Sequence, residues 1–151
     1  MIKIYLDNCC LNRPFDEQTQ LRIQLESEAI KAVLNQCEQN YWQLILSQVS
    51  LFEIANTPDK SRRCELELIA ENVQHIVIPD QYIHQRAKIF ENAGLEGLDA
   101  LHLACAEQHA DILLTVDDKF LKKARKIHNM TLPIYNPLTW LSEVLTNEHK
   151  P

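Results

Sequence analysis

Four acidic residues stand in apolar company: Asp7 after Leu6, Glu53 within Phe52-Glu53-Ile54-Ala55, Asp99 between Leu98 and Ala100, and Asp117 after Thr115-Val116. A carboxylate flanked by apolar residues is drawn towards the interior. Several of them in one pocket would repel one another strongly at low effective dielectric, and a cation resolves that conflict. Oxygen-only donors suit Mg²⁺ or Mn²⁺, and no Cys or His is placed to favour zinc. The chemistry such a set would support is hydrolysis by a metal-activated water.

Each acid also has a plainer use. Asp99 and Asp117 fall at helix starts, where they would cap the helix or complement its dipole. Ser50 and Glu53 have the spacing of a capping box. Asp7 would make an Asx-turn after a strand. Singly, these readings suffice. Four acids at one end of one sheet are harder to obtain from capping alone.

The elements that must carry them follow from periodicity. Residues 2–6, 43–47, 73–78, 111–116 and 132–135 read as strands, each continuous in apolar character. Helical spacing marks 16–37, 49–56, 60–72, 82–93, 98–110, 117–128 and a last helix opened by Pro137, with a loop at Asn12, Arg13 and Pro14. Gly94 and Gly97, the only two glycines, bracket a turn. Strands alternating with helices imply an α/β fold: a three-layer sandwich with a parallel sheet of about five strands covered by helices on both faces. Ligands bind such sheets beyond the carboxyl ends of the strands, and Asp7, Glu53 and Asp117 all follow strands. The expected organisation is one domain over 1–146 and a loose tail over 147–151.

Composition narrows the class. The chain has 151 residues, 46% apolar and 24% charged, with a net charge of −6, which is ordinary for a globular domain. That balance argues against a protein that coats nucleic acid non-specifically, though not against one local contact patch. No apolar run approaches a membrane span and the opening residues do not read as a signal peptide, so no membrane association and a cytoplasmic location are expected. Five scattered cysteines without a CxxC pair argue against a zinc ribbon or a thioredoxin motif. Cys105 and His109 have helical ligand spacing, but two ligands do not make a zinc site.

At this point the chain resembles the PIN-domain nucleases over nearly its whole length. The resemblance lies in Ile4-Tyr-Leu-Asp7-Asn8, in Glu53 within SLFEIA, and above all in the pair GLDALHLACAE (97–107) and DILLTVDDKF (111–120). The stretch Leu11-Asn-Arg-Pro-Phe-Asp16 resembles a subgroup. Two positions depart from the common pattern. Val116 replaces a frequent Asn, and Lys119 stands where many members have an acid, while Asp118 adds an acid next to Asp117. The resemblance implies a carboxylate cluster holding one or two Mg²⁺ or Mn²⁺ and an endoribonuclease acting on single-stranded RNA. It further implies a VapC-like toxin of a toxin–antitoxin pair, homodimeric and blocked by a small antitoxin protein. On that reading Asp7, Asp99 and Asp117 are ligands, and Glu53 is a ligand or takes the water's proton. Asn8 and Thr115 either orient these carboxylates or simply close the strand ends by hydrogen bonding, and Asp118 stands next to the ligands, expected to turn away at the helix start.

Lys119, Lys122, Lys123 and Lys126 share one helical face that begins beside Asp117, either simply solvated or laid against an RNA backbone. Arg13 is a phosphate contact or a local partner of Asp16 or Glu17. His102, three residues after Asp99, either bonds it or packs in the core. An aspartate-nucleophile phosphatase would need a second Asp at position 9, which is Cys9, and a phosphoacceptor receiver domain lacks its paired early acids and late lysine. The reading from a different class is a non-catalytic PIN module acting in RNA binding or protein interaction.

Overall fold

The computed structural model describes residues 1–148. Among them the elements run β1 (Ile2–Leu6), α1 (Asn8–Asn12), a 3-10 turn (Arg13–Phe15), α2 (Leu21–Glu38), β2 (Trp42–Ser47), α3 (Gln48–Ala55), α4 (Lys60–Glu71), β3 (His75–Val77), α5 (Gln81–Asn92), α6 (Gly97–His109), β4 (Ile112–Leu114), α7 (Asp118–Arg125), β5 (Ile134–Tyr135) and α8 (Pro137–Glu148). The five strands form one sheet in the order β3-β2-β1-β4-β5, and every pairing is parallel.

Period-two alternation divides the sheet's side chains between two cores. Tyr5, Ile45, Val77, Leu113 and Ile134 point to one face, against Phe90 of α5, Leu103 and Ala104 of α6, and Phe120 and Ala124 of α7. Ile4, Leu6, Leu44, Leu46, Ile112 and Leu114 point to the other, against Leu11 of α1, Ile30 and Val33 of α2, Leu66 of α4 and Trp140 of α8. Both faces are thus covered, which is why the strands read as unbroken apolar runs. None of the described helices is long and apolar enough to cross a membrane.

Strand order places the site. The chain steps from β1 outward through β2 to β3, then returns to the other side of β1 as β4. The carboxyl ends of β1 and β4 therefore flank a topological switch point, where open parallel sheets leave a crevice. Leu6 is in register with Leu114, and Asp7 N–H extends the ladder to the Leu114 carbonyl at 3.3 Å.

Some elements depart from expectation. Residues 12–14 are helical and not a loop, because the Asp7 side chain accepts from Cys10 N–H and turns the chain into α1 directly after β1, with Pro14 in the first turn of the 3-10 segment that follows. α2 begins at Leu21 and not at 16. The capping box on α3 is Ser47 with Ser50, not Ser50 with Glu53. Of the bracketing glycines only Gly94, at φ 111°, uses the left-handed region; it follows α5, and Leu95 N–H returns to the Phe90 carbonyl at 3.1 Å. Within the expected tail, residues 147 and 148 continue α8, and 149–151 lie outside the described residues.

Candidate active site

A cleft of about 750 Å³ opens at the switch point, and Asp7, Glu53, Asp99 and Asp117 all line it. Two of the carboxylates are placed by helix capping and one by a partner on another helix. Asp7 is the N-cap of α1: its Oδ1 accepts from Cys10 N–H at 3.1 Å and from the Cys9 thiol at 2.9 Å. Asp117 is the N-cap of α7: its Oδ1 accepts from Lys119 N–H at 3.0 Å and Phe120 N–H at 3.1 Å. In both, capping consumes one oxygen; Oδ2 accepts no hydrogen bond among the described residues. Asp99 sits in the first turn of α6 and neither of its oxygens is engaged there. Capping and ligation, alternatives in the sequence, are compatible in space.

Glu53 lies mid-helix on α3, where no cap can hold it. It is bonded to His102 Nε2 of α6. His102 is buried, and its Nδ1 lies 2.6 Å from the Tyr5 hydroxyl. Tyr5, wholly buried on β1, also reaches Ser47 Oγ at 2.7 Å. A carboxylate at one end of this chain is an acceptor, and that sets the chain's direction. Nε2–H donates to Glu53, Tyr5 O–H donates to Nδ1, and the Tyr5 oxygen accepts from Ser47. Burial holds the Tyr5 phenol well above its ordinary range, so it remains a donor. His102 thus does not bond Asp99; it is packed in the interior against Tyr5, and it also buttresses Glu53, a role that residue spacing did not reveal.

The electrostatics of the cleft are those of crowded anions. Burial, then the charges of Asp7 and Asp117, raise the Asp99 carboxyl from 3.8 to about 6. Burial also raises Asp7, against the opposing hydrogen bonds from the Cys9 thiol and the Cys10 N–H. Uncommitted carboxylate oxygens that destabilise one another fit a hard divalent cation. Among the described residues no three of these carboxylates come within 4.8 Å of one another; the group that does is Asp7, Cys9 and Cys10. A cation that keeps part of its water shell, as Mg²⁺ does, spans the wider gap. Cysteine thus stands closer to the acids than the sequence suggests. Yet both thiols act as donors: Cys9 to Asp7, and buried Cys10 to the Leu114 carbonyl at 3.3 Å, its thiol held well above the ordinary range by burial.

The supporting residues divide. Thr115 is buried and its Oγ1 accepts from Asp117 N–H at 3.1 Å, so it fixes the turn that carries Asp117. Asn8 lines the cleft and accepts from Asn12 Nδ2 at 3.1 Å. Asp118 supports none of the acids: it faces away and takes a two-bond grip from Arg22 at 2.8 and 2.7 Å. Arg13 lines the cleft but pairs with Asp16 at 3.2 Å and Glu26 at 3.3 Å. Arg62, unremarked in the sequence, joins Asp16 at 3.3 Å and stands on the same wall. Lys119, Lys122, Lys123 and Lys126 are exposed; none lines the cleft, and Lys123 reaches the Gly94 carbonyl at 3.3 Å.

Solved structures share this fold. The FitAcB structure from Neisseria gonorrhoeae aligns at a TM-score of 0.59 and 17% identity, covering 89% of this chain and 97% of that one. VapBC2 from Rickettsia felis, bound to a DNA fragment from its promoter, aligns at 0.59 and 16% identity, covering 89% and 98%. FitAB bound to an IR36 DNA fragment aligns at 0.58 and 18% identity, covering 89% and 95%. No curated protein matches the chain in sequence. The family model described as PIN domain matches residues 4–126, from β1 through the end of α7, and so takes in Asp7, Glu53, Asp99 and Asp117; the chain belongs to the PIN-domain family.

Proposed function

We propose that this PIN domain is a metal-dependent endoribonuclease that cleaves phosphodiesters of single-stranded RNA. The observation that carries the reading is the convergence of Asp7, Asp99 and Asp117, each with an uncommitted oxygen, on one cleft at the switch point of the sheet. Those three residues would hold Mg²⁺ or Mn²⁺, with Glu53 as a further ligand or as the proton acceptor. The cation would supply charge neutralisation at the phosphoryl oxygens and acidification of a water.

The chain's own residues do the rest. Cys10 N–H and the Cys9 thiol pin one Asp7 oxygen and so fix where the other points. Thr115 holds the turn before Asp117. His102, locked by Tyr5, keeps the Glu53 carboxylate turned into the cleft, where it can take a proton from an attacking water. Preorganising the acids in this way leaves little reorganisation for the reaction itself.

We further propose that the protein is the toxin of a toxin–antitoxin pair, acting in the cytoplasm as a homodimer and restrained by a small antitoxin. The solved structures of FitAcB and VapBC2 support that reading by fold. The direct test is cleavage of a mixed pool of structured and single-stranded RNAs with Mg²⁺, Mn²⁺ or EDTA, for the wild type and Asp99→Asn. Metal-dependent cutting that Asp99→Asn abolishes is the expected result. A folded protein that cuts nothing under either metal would overturn it in favour of a non-catalytic module.

A further inference from the structure

Phe52 and Leu98 line the cleft yet remain 58% and 44% exposed, and neither belongs to either core. Each immediately precedes a cleft acid, Phe52 before Glu53 on α3 and Leu98 before Asp99 on α6. Successive helical residues diverge by about 100°, so the acid turns inward while its apolar neighbour is left at the rim. The same arrangement on two helices gives the cleft an aromatic and an aliphatic lip beside its carboxylates.

The charge of the cleft says what those lips are for. Besides the four acids already described, Asp16 and Asp59 line it, against only Arg13 and Arg62 as cations. Both arginines are already bonded to Asp16. The lysine-rich face of α7 lies outside. A polyanionic strand is therefore repelled by most of the protein surface it must enter, and a cation on the acids would hold only the phosphate at the metal, not the nucleotides on either side of it. Retention needs a contact indifferent to charge. Base–aromatic stacking is such a contact, and it is open only to unpaired bases.

We propose that Phe52 is a nucleobase platform, with Leu98 closing on the same base, so that the cleft grips single-stranded nucleic acid by an unstacked base next to the carboxylates. This rests on the reading above only in taking a nucleic-acid strand as the ligand. It adds a reason for single-strand selectivity: a base in a duplex cannot leave its stack without cost, whereas one in a flexible strand is already free. The platform is sequence-tolerant, since every base offers a π-face.

The test is equilibrium binding of a short single-stranded RNA and of an abasic strand of the same length, with Mg²⁺ present. It uses Asp99→Asn protein with Phe52 retained, Phe52→Ala or Phe52→Trp. Phe52 is exposed and outside the cores, so its replacement should leave thermal unfolding unchanged, which is checked in parallel. The expected result is a loss of roughly ten- to a hundredfold in affinity for the base-bearing strand in Phe52→Ala. The abasic strand should be unaffected, and Phe52→Trp should restore affinity with indole fluorescence quenched on binding. Equal affinities for both strands in every protein would overturn the platform. So would a loss of self-association in Phe52→Ala without any base-dependent difference, which would make Phe52 a protein contact. The two readings fail separately. Cleavage in otherwise wild-type Phe52→Ala undiminished on short substrates, with no base dependence, sinks the platform and spares the nuclease. Base-dependent binding without cutting under any metal sinks the nuclease and spares the platform.

Discussion

Replacing Asp99 with Asn should stabilise the metal-free protein while destroying its response to metal. The Asp99 carboxyl is held at about 6 in the fold, against an ordinary 3.8, first by burial and then by Asp7 and Asp117. Between pH 4 and 6 the folded state therefore binds more protons here than the unfolded chain, so this group's contribution to stability falls as pH rises through that window. Above pH 6 the whole penalty is present. A difference of about 2 pH units corresponds to about 3 kcal/mol; Asp99 is half-buried, and solvent screening reduces this to about 1–2 kcal/mol. Asparagine removes the penalty but also a negative charge in the first turn of α6, which helps a helix by about 0.5 kcal/mol. The combined penalty of burial and repulsion exceeds the helix term, leaving a net gain of about 1 kcal/mol, or roughly 2–4 °C in Tm for a chain of this size. The assay is thermal unfolding of both proteins in EDTA at pH 4 and 7.5, then at 7.5 with Mg²⁺. The variant should be the more stable at pH 7.5 in EDTA and lose that advantage at pH 4. Mg²⁺ should raise the wild type, by about 2.7 kcal/mol at a hundredfold excess over Kd, and leave the variant where it was. An Asp99→Asn protein less stable than wild type in EDTA at pH 7.5 would refute the claim that burial and the neighbouring acids together penalise the charged Asp99.

Other substitutions separate the tasks combined in single side chains. Tyr5→Phe leaves His102 Nδ1 and Ser47 short of a partner in the core, at a cost of about 1–3 kcal/mol, measured by denaturant unfolding; nitrogen NMR of His102 should show the Nε2–H tautomer kept by Glu53 and the Nδ1 resonance shifted by loss of its donor. Asp117→Ser should keep the cap on α7 and its stability but weaken Mn²⁺ binding by calorimetry, whereas Asp117→Ala should lose both, with about 1 kcal/mol of stability going with the cap. Asp118→Asn should leave metal affinity untouched. Its pair with Arg22 is more than half exposed on both sides and contributes under about 1 kcal/mol. Arg22 holds the Asp118 carboxyl below its ordinary value, so that contribution is present at neutral pH and disappears as pH falls through the depressed value, as an acid-unfolding comparison would show. Reversing Lys122 and Lys126 to Glu should leave cutting of very short substrates intact while weakening binding of long RNA and flattening its salt dependence.

What was legible in the sequence was what is local. Asp7 and Asp117 announce themselves because each follows an apolar strand, and a residue there both ends the strand and starts the next helix. The parallel sheet is legible because strands buried on both faces are apolar throughout. What was not legible depends on partners far apart in the chain. Glu53 meets His102 across 49 positions and His102 meets Tyr5 across 97, so neither spacing nor periodicity could join them, and Tyr5 looked like any residue of an apolar strand. Asp118 meets Arg22 across 96 positions. The lysine face of α7 was visible as a face, but its direction relative to the cleft is set by how Phe120 and Ala124 dock on the sheet, which a helical wheel does not contain.

The choice of acid at each position follows from how it is held. Asp7 and Asp117 begin helices, and a cap needs a side chain short enough for its oxygen to reach back to the amides of the first turn; glutamate at either place would overshoot the cap and release the second oxygen from its aim. Glu53 is mid-helix, out of reach of any cap, and its longer side chain crosses from α3 to α6, where His102 can fix it. Asp99 has neither device. It is in the first turn of α6 with no hydrogen bond to its carboxylate among the described residues, and it faces the two capped acids. It is therefore the carboxylate whose charge the protein compensates least. Its elevated pKa and its expected dependence on a cation have a common root: the other three acids are anchored by protein, whereas Asp99 carries its charge half-buried beside Asp7 and Asp117 without an anchor, which is where a proposed cation would act.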